Sequence, residues 1–370
     1  MIIMDRFNSG HLIFIILGVS IVSLKTYPRV FMENGLRDSW IAVIISSIII
    51  FFLFLFIIGI WKKSEEKNFI RIYQYTLGNI LGNGFIILFL ITLFMTLVEC
   101  ASVEADSMHQ NMLISTPKWF FILYLVVPAI FVVNKHIVAI GIVAIIGIIL
   151  IMIAGVNLGI LTSSYKDIRM LTPIFENGVT WDFIISIIES LGLYGFISIS
   201  LPYLSKVQDK RNKIIRDSMI ALIILIQMEI ISTSGILMTF TPERAISMNY
   251  PKLLQTQMVS YFQFLDFGEL YVMLQIVGGW LLKYILTFYA ILIILRDYNI
   301  GKKRERFVIY FLSVATYIAS YYASKNSFIM FELLNIFQYI SLFNFVIVPF
   351  IVFSILGIKN SKARENNNSP

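Results

Sequence analysis

The sequence predicts an all-α integral membrane protein: ten transmembrane helices in two inverted five-helix repeats. Three observations lead there. Ten long apolar stretches occupy nearly the whole chain, basic residues fall in alternate loops, and the first and sixth stretches share a glycine-marked interruption near mid-depth. Hydrophobic residues make up 58% of the 370 and charged residues only 14%, against about a quarter charged in a typical soluble chain.

A hydrocarbon core about 30 Å thick needs about 20 helical residues to cross it. On that measure the spans lie at roughly 10–31, 39–60, 80–103, 118–135, 137–161, 183–204, 213–240, 267–295, 306–323 and 334–357. Only Asn134-Lys135-His136 divides the fourth from the fifth, the weakest of these boundaries. The spans and their short loops form one domain over residues 1–361, with repeat one at about 10–161 and repeat two at about 183–357, and leave no room for a soluble catalytic domain. Residues 62–76 mix charges with Phe69, Ile70, Ile72, Tyr73 and Tyr75, the pattern of an interfacial amphipathic helix. A second such helix is expected around 252–264, and the polar, Asn-rich end at 362–370 reads as a disordered tail.

The net charge of +7 would suggest nucleic-acid binding in a soluble protein, but here the cations sort by loop. Loops containing Lys62, Lys63, Lys67 and Arg71, then Lys206 to Arg216, then Arg296 to Arg306, outweigh the alternate loops, so they belong to the cytoplasmic side. Both termini are therefore expected inside, and nucleic acid is excluded as a partner; the lipid bilayer is the surrounding medium. The first span is long, is flanked by Asp5-Arg6 and lacks a small-residue cleavage site, so it does not read as a cleavable signal peptide. Cys100 is single, which leaves no intrachain disulfide. His11, His109 and His136 have no metal-ligand spacing, no phosphate loop is present, and no nucleophile–base set emerges. Neither an enzyme nor a cofactor is expected.

Five spans per half force the second half to insert upside down relative to the first, the plan of many secondary transporters. Such folds break the first helix of each repeat at the substrate site. The matching positions are Gly18-Val19-Ser20 in the first span and Gly192-Leu193-Tyr194-Gly195 in the sixth, and both spans end at a proline, Pro28 and Pro202. Glycine lets the backbone leave helical geometry, and freed N–H and C=O groups can face a ligand. Close helix packing is the competing use of such glycines. Gly18, Val19, Ser20, Gly192, Tyr194 and Gly195 are thus candidate ligand-binding residues.

Charges in the bilayer interior need a reason, because each costs about 2.5–3.5 kcal/mol or more. Lys283, near the middle of the eighth span, can pair with a buried acid, bind an anionic group of a ligand, or exchange a proton. Its candidate acids are Glu229 in the seventh span and Glu99 in the third. Depth arithmetic favours a Glu229–Lys283 ion pair and puts Glu99 roughly 10 Å nearer the outside. Thr287 lies one turn from Lys283 on the same face, so Glu99, Lys283 and Thr287 complete the candidate ligand set.

Several stretches resemble the spore germination permease family, the B subunit of germinant receptors, within the amino acid–polyamine–organocation transporter superfamily. They are DSWIAVI at 38–44, LGNILGNGF at 77–85, STPKWF at 115–120, MLTPIFENGV at 170–179, LPYL at 201–204, FLDFGELYV at 264–272 and NFVIVPFIVF at 344–353. The resemblance implies a LeuT-like amino-acid permease fold. It also implies a small-molecule germinant, with an amino acid the leading expectation, and placement in the spore inner membrane of an endospore-forming bacterium. Its implied partners are a receptor A subunit and a lipoprotein C subunit. Glu99 matches an acidic position of the family's third helix, and Lys283 falls where members line the ligand pocket. This chain departs from the family at Phe196, where Glu is frequent, and at Phe267, where Arg is frequent. The resulting expectation is a germinant-sensing subunit, with a proton-coupled amino-acid permease as the alternative and a scaffold that binds no small molecule as a third reading.

Overall fold

The computed structural model describes residues 6–176, 178–208, 212–258 and 267–368, and every regular element among them is helical. Helix α1 (Ser9–Ser20) starts at a capping box: the Asn8 side chain accepts from the His11 N–H, and the His11 ring accepts from the Asn8 N–H. The chain turns at Ile21–Val22, resumes as α2 (Ser23–Thr26), and continues through α3 (Arg29–Gly35) into α4 (Ser39–Lys63). Asn68 caps the amphipathic helix α5 (Phe69–Leu77), whose Phe69, Ile70, Ile72 and Tyr73 are buried while Arg71 is exposed. Gly78 (φ +83°) then reverses the chain into α6 (Asn79–Asn111). The first half closes with α7 (Lys118–Val133) and α8 (Ile137–Leu161).

Thr180 caps α9 (Trp181–Tyr194), which tightens into a 3-10 segment (Gly195–Ser200) before the short α10 (Leu201–Leu204). Next come α11 (Asn212–Leu237), α12 (Pro242–Ser247), α13 (Pro251–Gln257), α14 (Phe267–Asp297) and α15 (Lys302–Ser324). Finally α16 (Ser327–Ser341) passes through a π-helical stretch (Leu342–Ile347) into α17 (Val348–Asn368).

Among the described residues nine helical segments are long and apolar enough to cross a membrane, and Lys118–Val133 is a shorter apolar helix of 16 residues. This is an integral membrane helical protein. The long helices are apolar all round, so lipid and protein are equally acceptable neighbours and packing is decided by shape. α14 is the central strut. It lies against α8, α6 and α1, whereas α11 lies against α1 and α4 instead.

Two expectations change. The first span breaks at Ile21–Val22 rather than within Gly18–Ser20, which is the last turn of α1. The reason is packing: a Cβ on Gly18 would lie 2.6 Å from Leu286 Cδ1 and 3.1 Å from Leu282 Cδ2, so this glycine admits α14 at close range while its own backbone stays helical. At the C-terminus, helical backbone runs to Asn368 where a disordered tail was expected; Lys, Ala, Arg and Glu at 362–365 are good helix formers. The last two residues of that tail lie outside the described residues, as does the 259–264 part of the interfacial helix expected around 252–264.

Candidate functional site

Lys283 projects from the middle of α14 into fully buried surroundings. Its ammonium lies 2.7 Å from Glu99 Oε2 and 2.9 Å from Glu99 Oε1, across the α6–α14 contact. A lysine ammonium has three protons to place. A third contact goes to Ser23 Oγ at 2.5 Å, and that hydroxyl in turn donates to Glu99 Oε1 at 2.8 Å. The Tyr27 hydroxyl adds a third donor to the same oxygen at 2.5 Å.

The chain break explains these partners. Where the regular helix lapses at Ile21–Val22 and resumes at Ser23, the first span brings Ser23 and Tyr27 onto the carboxylate. The break in the sixth span supplies the other wall. Phe196, in the 3-10 segment, places its ring centroid 3.3 Å from Lys283 Nζ, a cation–π contact. Trp280, one turn before Lys283, stacks on Tyr27 with centroids 6.2 Å apart. The ion pair thus sits in a buried box of aromatic rings, bracketed by both interrupted helices. Such a pair persists only because hydrogen bonds fill the remaining valences, since desolvation rivals the Coulombic gain.

The depth argument for a Glu229–Lys283 pair fails. α6 packs extensively against α14, whereas α11 packs chiefly against α1 and α4, and α6, at 33 residues, is longer than a simple crossing, so counting from its ends misplaces Glu99. Both Glu229 oxygens are buried without a hydrogen-bond partner; Lys25 is the cation near enough to act on them electrostatically.

The remaining candidates divide by position. Ser20 Oγ and Thr287 Oγ1 are buried without hydrogen-bond partners, on α1 just before the break and one turn beyond Lys283. Val19 is buried in the last turn of α1. Tyr194 lies away from the ion pair in its bonding, its hydroxyl 2.7 Å from Ser47 Oγ on α4. Gly192 and Gly195 serve close approach: a Cβ on Gly192 would lie 2.3 Å from the Gln338 carbonyl oxygen, and one on Gly195 3.0 Å from Val346 Cγ2.

Opposite the 3-10 segment stands the π-helical stretch of the last span. Ser198 donates to the Phe345 carbonyl, Ser341 Oγ to the Gly192 carbonyl at 2.7 Å, and Asn344 Nδ2 to Thr92 Oγ1 at 2.8 Å. Irregular helix faces irregular helix, with side chains satisfying carbonyls that regular geometry would have used. Ser23, Tyr27, Phe196 and Trp280 escaped the sequence reading. The polar run Ser23-Leu24-Lys25-Thr26-Tyr27 inside an apolar span was the available signal for the first two.

At one end of α6 the buried Asp106 gathers Lys118 Nζ (2.6 Å), Tyr250 OH (2.7 Å), Gln110 Nε2 (2.8 Å) and Ser327 Oγ (2.6 Å). It ties α6, α7, the start of α13 and α16 together, with its acceptor sites filled by the protein itself.

A family described as spore germination protein has a sequence model that matches residues 8–329. No curated protein matches the chain.

Proposed function

The chain belongs to the spore germination protein family, and from that membership we propose that it is the membrane subunit of a germinant receptor, sensing a small zwitterionic germinant of the amino-acid class. The observation that carries the proposal is the Glu99–Lys283 pair lying between the two helix breaks. A free amino acid carries the same two charges. Its carboxylate can replace Glu99 on Lys283, and its ammonium can replace Lys283 on Glu99, so the guest exchanges for an existing interaction without leaving either charge bare. Ser20 and Thr287, with unused hydroxyls nearby in the chain, supply further polar contacts, and Phe196 and Trp280 select the side chain. Separating Glu99 from Lys283 shifts α6 against α14, and only a ligand that prefers the shifted arrangement changes its population.

In this proposal the chain crosses ten times in two inverted repeats, the nine long apolar segments being joined by Lys118–Val133 as the shortest crossing and the two interrupted spans acting as matching first helices. The receptor sits in the spore inner membrane with both termini on the core side. Its output passes to an A subunit and a lipoprotein C subunit.

Thermal unfolding of the purified chain in nanodiscs, with each of the twenty amino acids in turn, tests the proposal. A binder of the folded state raises the transition in proportion to ln(1 + [L]/Kd). At least one amino acid is expected to do so in the wild type and to lose its effect in Thr287→Val. Failure of all twenty overturns the amino-acid reading. Robust accumulation of label in proteoliposomes under a pH gradient would replace the sensor with a proton-coupled permease.

A further inference from the structure

A cavity apart from the Glu99–Lys283 centre lies between α8 and α11 at the end of the bundle that carries α13. Its volume is about 600 Å³, within the range that holds a drug-sized ligand. Three lysines from three different elements converge on it: Lys25 from α2, Lys166 from the loop after α8, and Lys252 from α13. No acidic residue among the described residues lines it. Lys25 is only 8% exposed, and neither it nor Lys166 has an ion-pair partner among the described residues; Lys252 Nζ reaches the neutral Gln255 Oε1 at 2.8 Å. Ser232 Oγ, also in the lining, is buried without a hydrogen-bond partner.

Converging like charges are costly even with Glu229 acting electrostatically on Lys25, and the cost is visible at Lys252. Burial first, then the positive charges of Lys166 and Lys25, push its ammonium down to about 7. An anion in the cavity would offset this crowding of positive charge. The walls identify the anion further. Val156, Ile160 and Ile231, at 63%, 66% and 54% exposed, carry one side of the rim onto the lipid-facing flank of α8 and α11, while the exposed Ser163 and Gln227 make another part of it polar. A mouth of both kinds suits an amphiphile, with charge at the lysines and chain along the apolar cleft.

We propose that the α8–α11 cavity binds an anionic phospholipid, its phosphate held by Lys25, Lys166 and Lys252 and an acyl chain lying in the cleft between the two helices. The site is distinct from the Glu99–Lys283 centre and does not depend on the germinant reading. It does touch the same element, because Lys25 lies two residues after Ser23 on the short helix beyond the first break.

The full chain in phosphatidylcholine nanodiscs provides the test, by thermal unfolding and by native mass spectrometry of retained lipid. Added phosphatidylglycerol is expected to raise the transition and to co-migrate with the protein. The triple variant Lys25→Gln/Lys166→Gln/Lys252→Gln, which keeps side-chain length and relieves the repulsion, should lose both effects, while Lys302→Gln/Lys303→Gln retains them. Equal stabilisation by phosphatidylcholine, or persistence of the phosphatidylglycerol effect in the triple variant, overturns the proposal. Stabilisation by inorganic phosphate to the same extent as by phosphatidylglycerol also overturns it, by making the site one for soluble anions.

Discussion

Lys283 Nζ and Glu99 Oε2 lie 2.7 Å apart with both side chains essentially inaccessible, 0% and 1% exposed. Breaking a buried pair from one side leaves an uncompensated charge and costs about 3–5 kcal/mol, whereas replacing both partners by neutral groups of similar volume is far cheaper. Glu99→Gln and Lys283→Met are each expected to lower stability by that order, and Glu99→Gln/Lys283→Met by clearly less than their sum. Denaturation of the detergent-solubilised variants closes the cycle. Strict additivity would mean that the two groups do not act on one another.

Tyr27 can be taken apart more gently. Tyr27→Phe keeps the ring stacked on Trp280 and deletes only the hydroxyl donated to Glu99 Oε1. A hydrogen bond to a charged group contributes about 1.5–3 kcal/mol. Because Ser23 and Lys283 still hold that oxygen, the loss belongs at the low end. If germinant binding pulls Glu99 off Lys283, the variant should respond to less germinant, since the closed arrangement has lost one of its ties. Spore germination dose–response curves read the shift, and a response needing more germinant contradicts this direction.

Glu104 offers the opposite case. It is buried on the same helix as Glu99, yet neither carboxylate oxygen has a hydrogen-bond partner. Glu104→Gln removes an unpartnered ionisable carboxyl without breaking a contact, so stability should hold or rise. A loss of more than about 1 kcal/mol would reveal a partner for the carboxylate.

How much of this was legible beforehand depends on what each feature is made of. Span positions, the amphipathic α5 and the irregular sixth span follow from local composition, and the sequence carries them directly. Lys283 and Glu99 stood out because charge inside an apolar run is anomalous wherever the run packs. Their pairing did not, because it is a relation between helices: only the placement of α6 beside α14, and of α11 away from it, rejects Glu229. Phe196 was visible only as a departure from the family pattern, since a phenylalanine in an apolar span carries no signal until a lysine lies over its ring. The lysine cavity was equally hidden, as Lys25, Lys166 and Lys252 come from three separate stretches, each unremarkable alone.

The two kinds of glycine predict opposite outcomes for one substitution. At Gly192 an added methyl would sit 2.3 Å from the Gln338 carbonyl oxygen, a backbone atom that cannot swing aside, while at Gly84 on α6 nothing lies within 4 Å. Gly192→Ala should therefore push α9 from α16 and cost about 1–3 kcal/mol. Gly84→Ala should leave stability unchanged or raise it by up to about 1 kcal/mol through helix propensity. Equal effects at the two sites would remove the close α9–α16 approach from the fold.

The lysine cavity has a pH signature whose sign is fixed by linkage. An anion in the cavity favours the ammonium form of Lys252, which burial and the neighbouring lysines lower to about 7. Binding therefore takes up a proton, and affinity for phosphatidylglycerol should rise as pH falls. The charged groups around Lys252 are Lys166 and Lys25, with Glu229 on α11 acting on Lys25. Lys166, also lowered by burial, adds to the effect in the same direction. For one group of pKa about 7 the gain between pH 8.5 and pH 6 approaches roughly thirtyfold, levelling off below. Lipid titrations of the wild type and of Lys252→Gln over that range decide it. The wild type should show the rise and the variant should lose most of it, and a flat wild-type profile would remove Lys252 from the headgroup site.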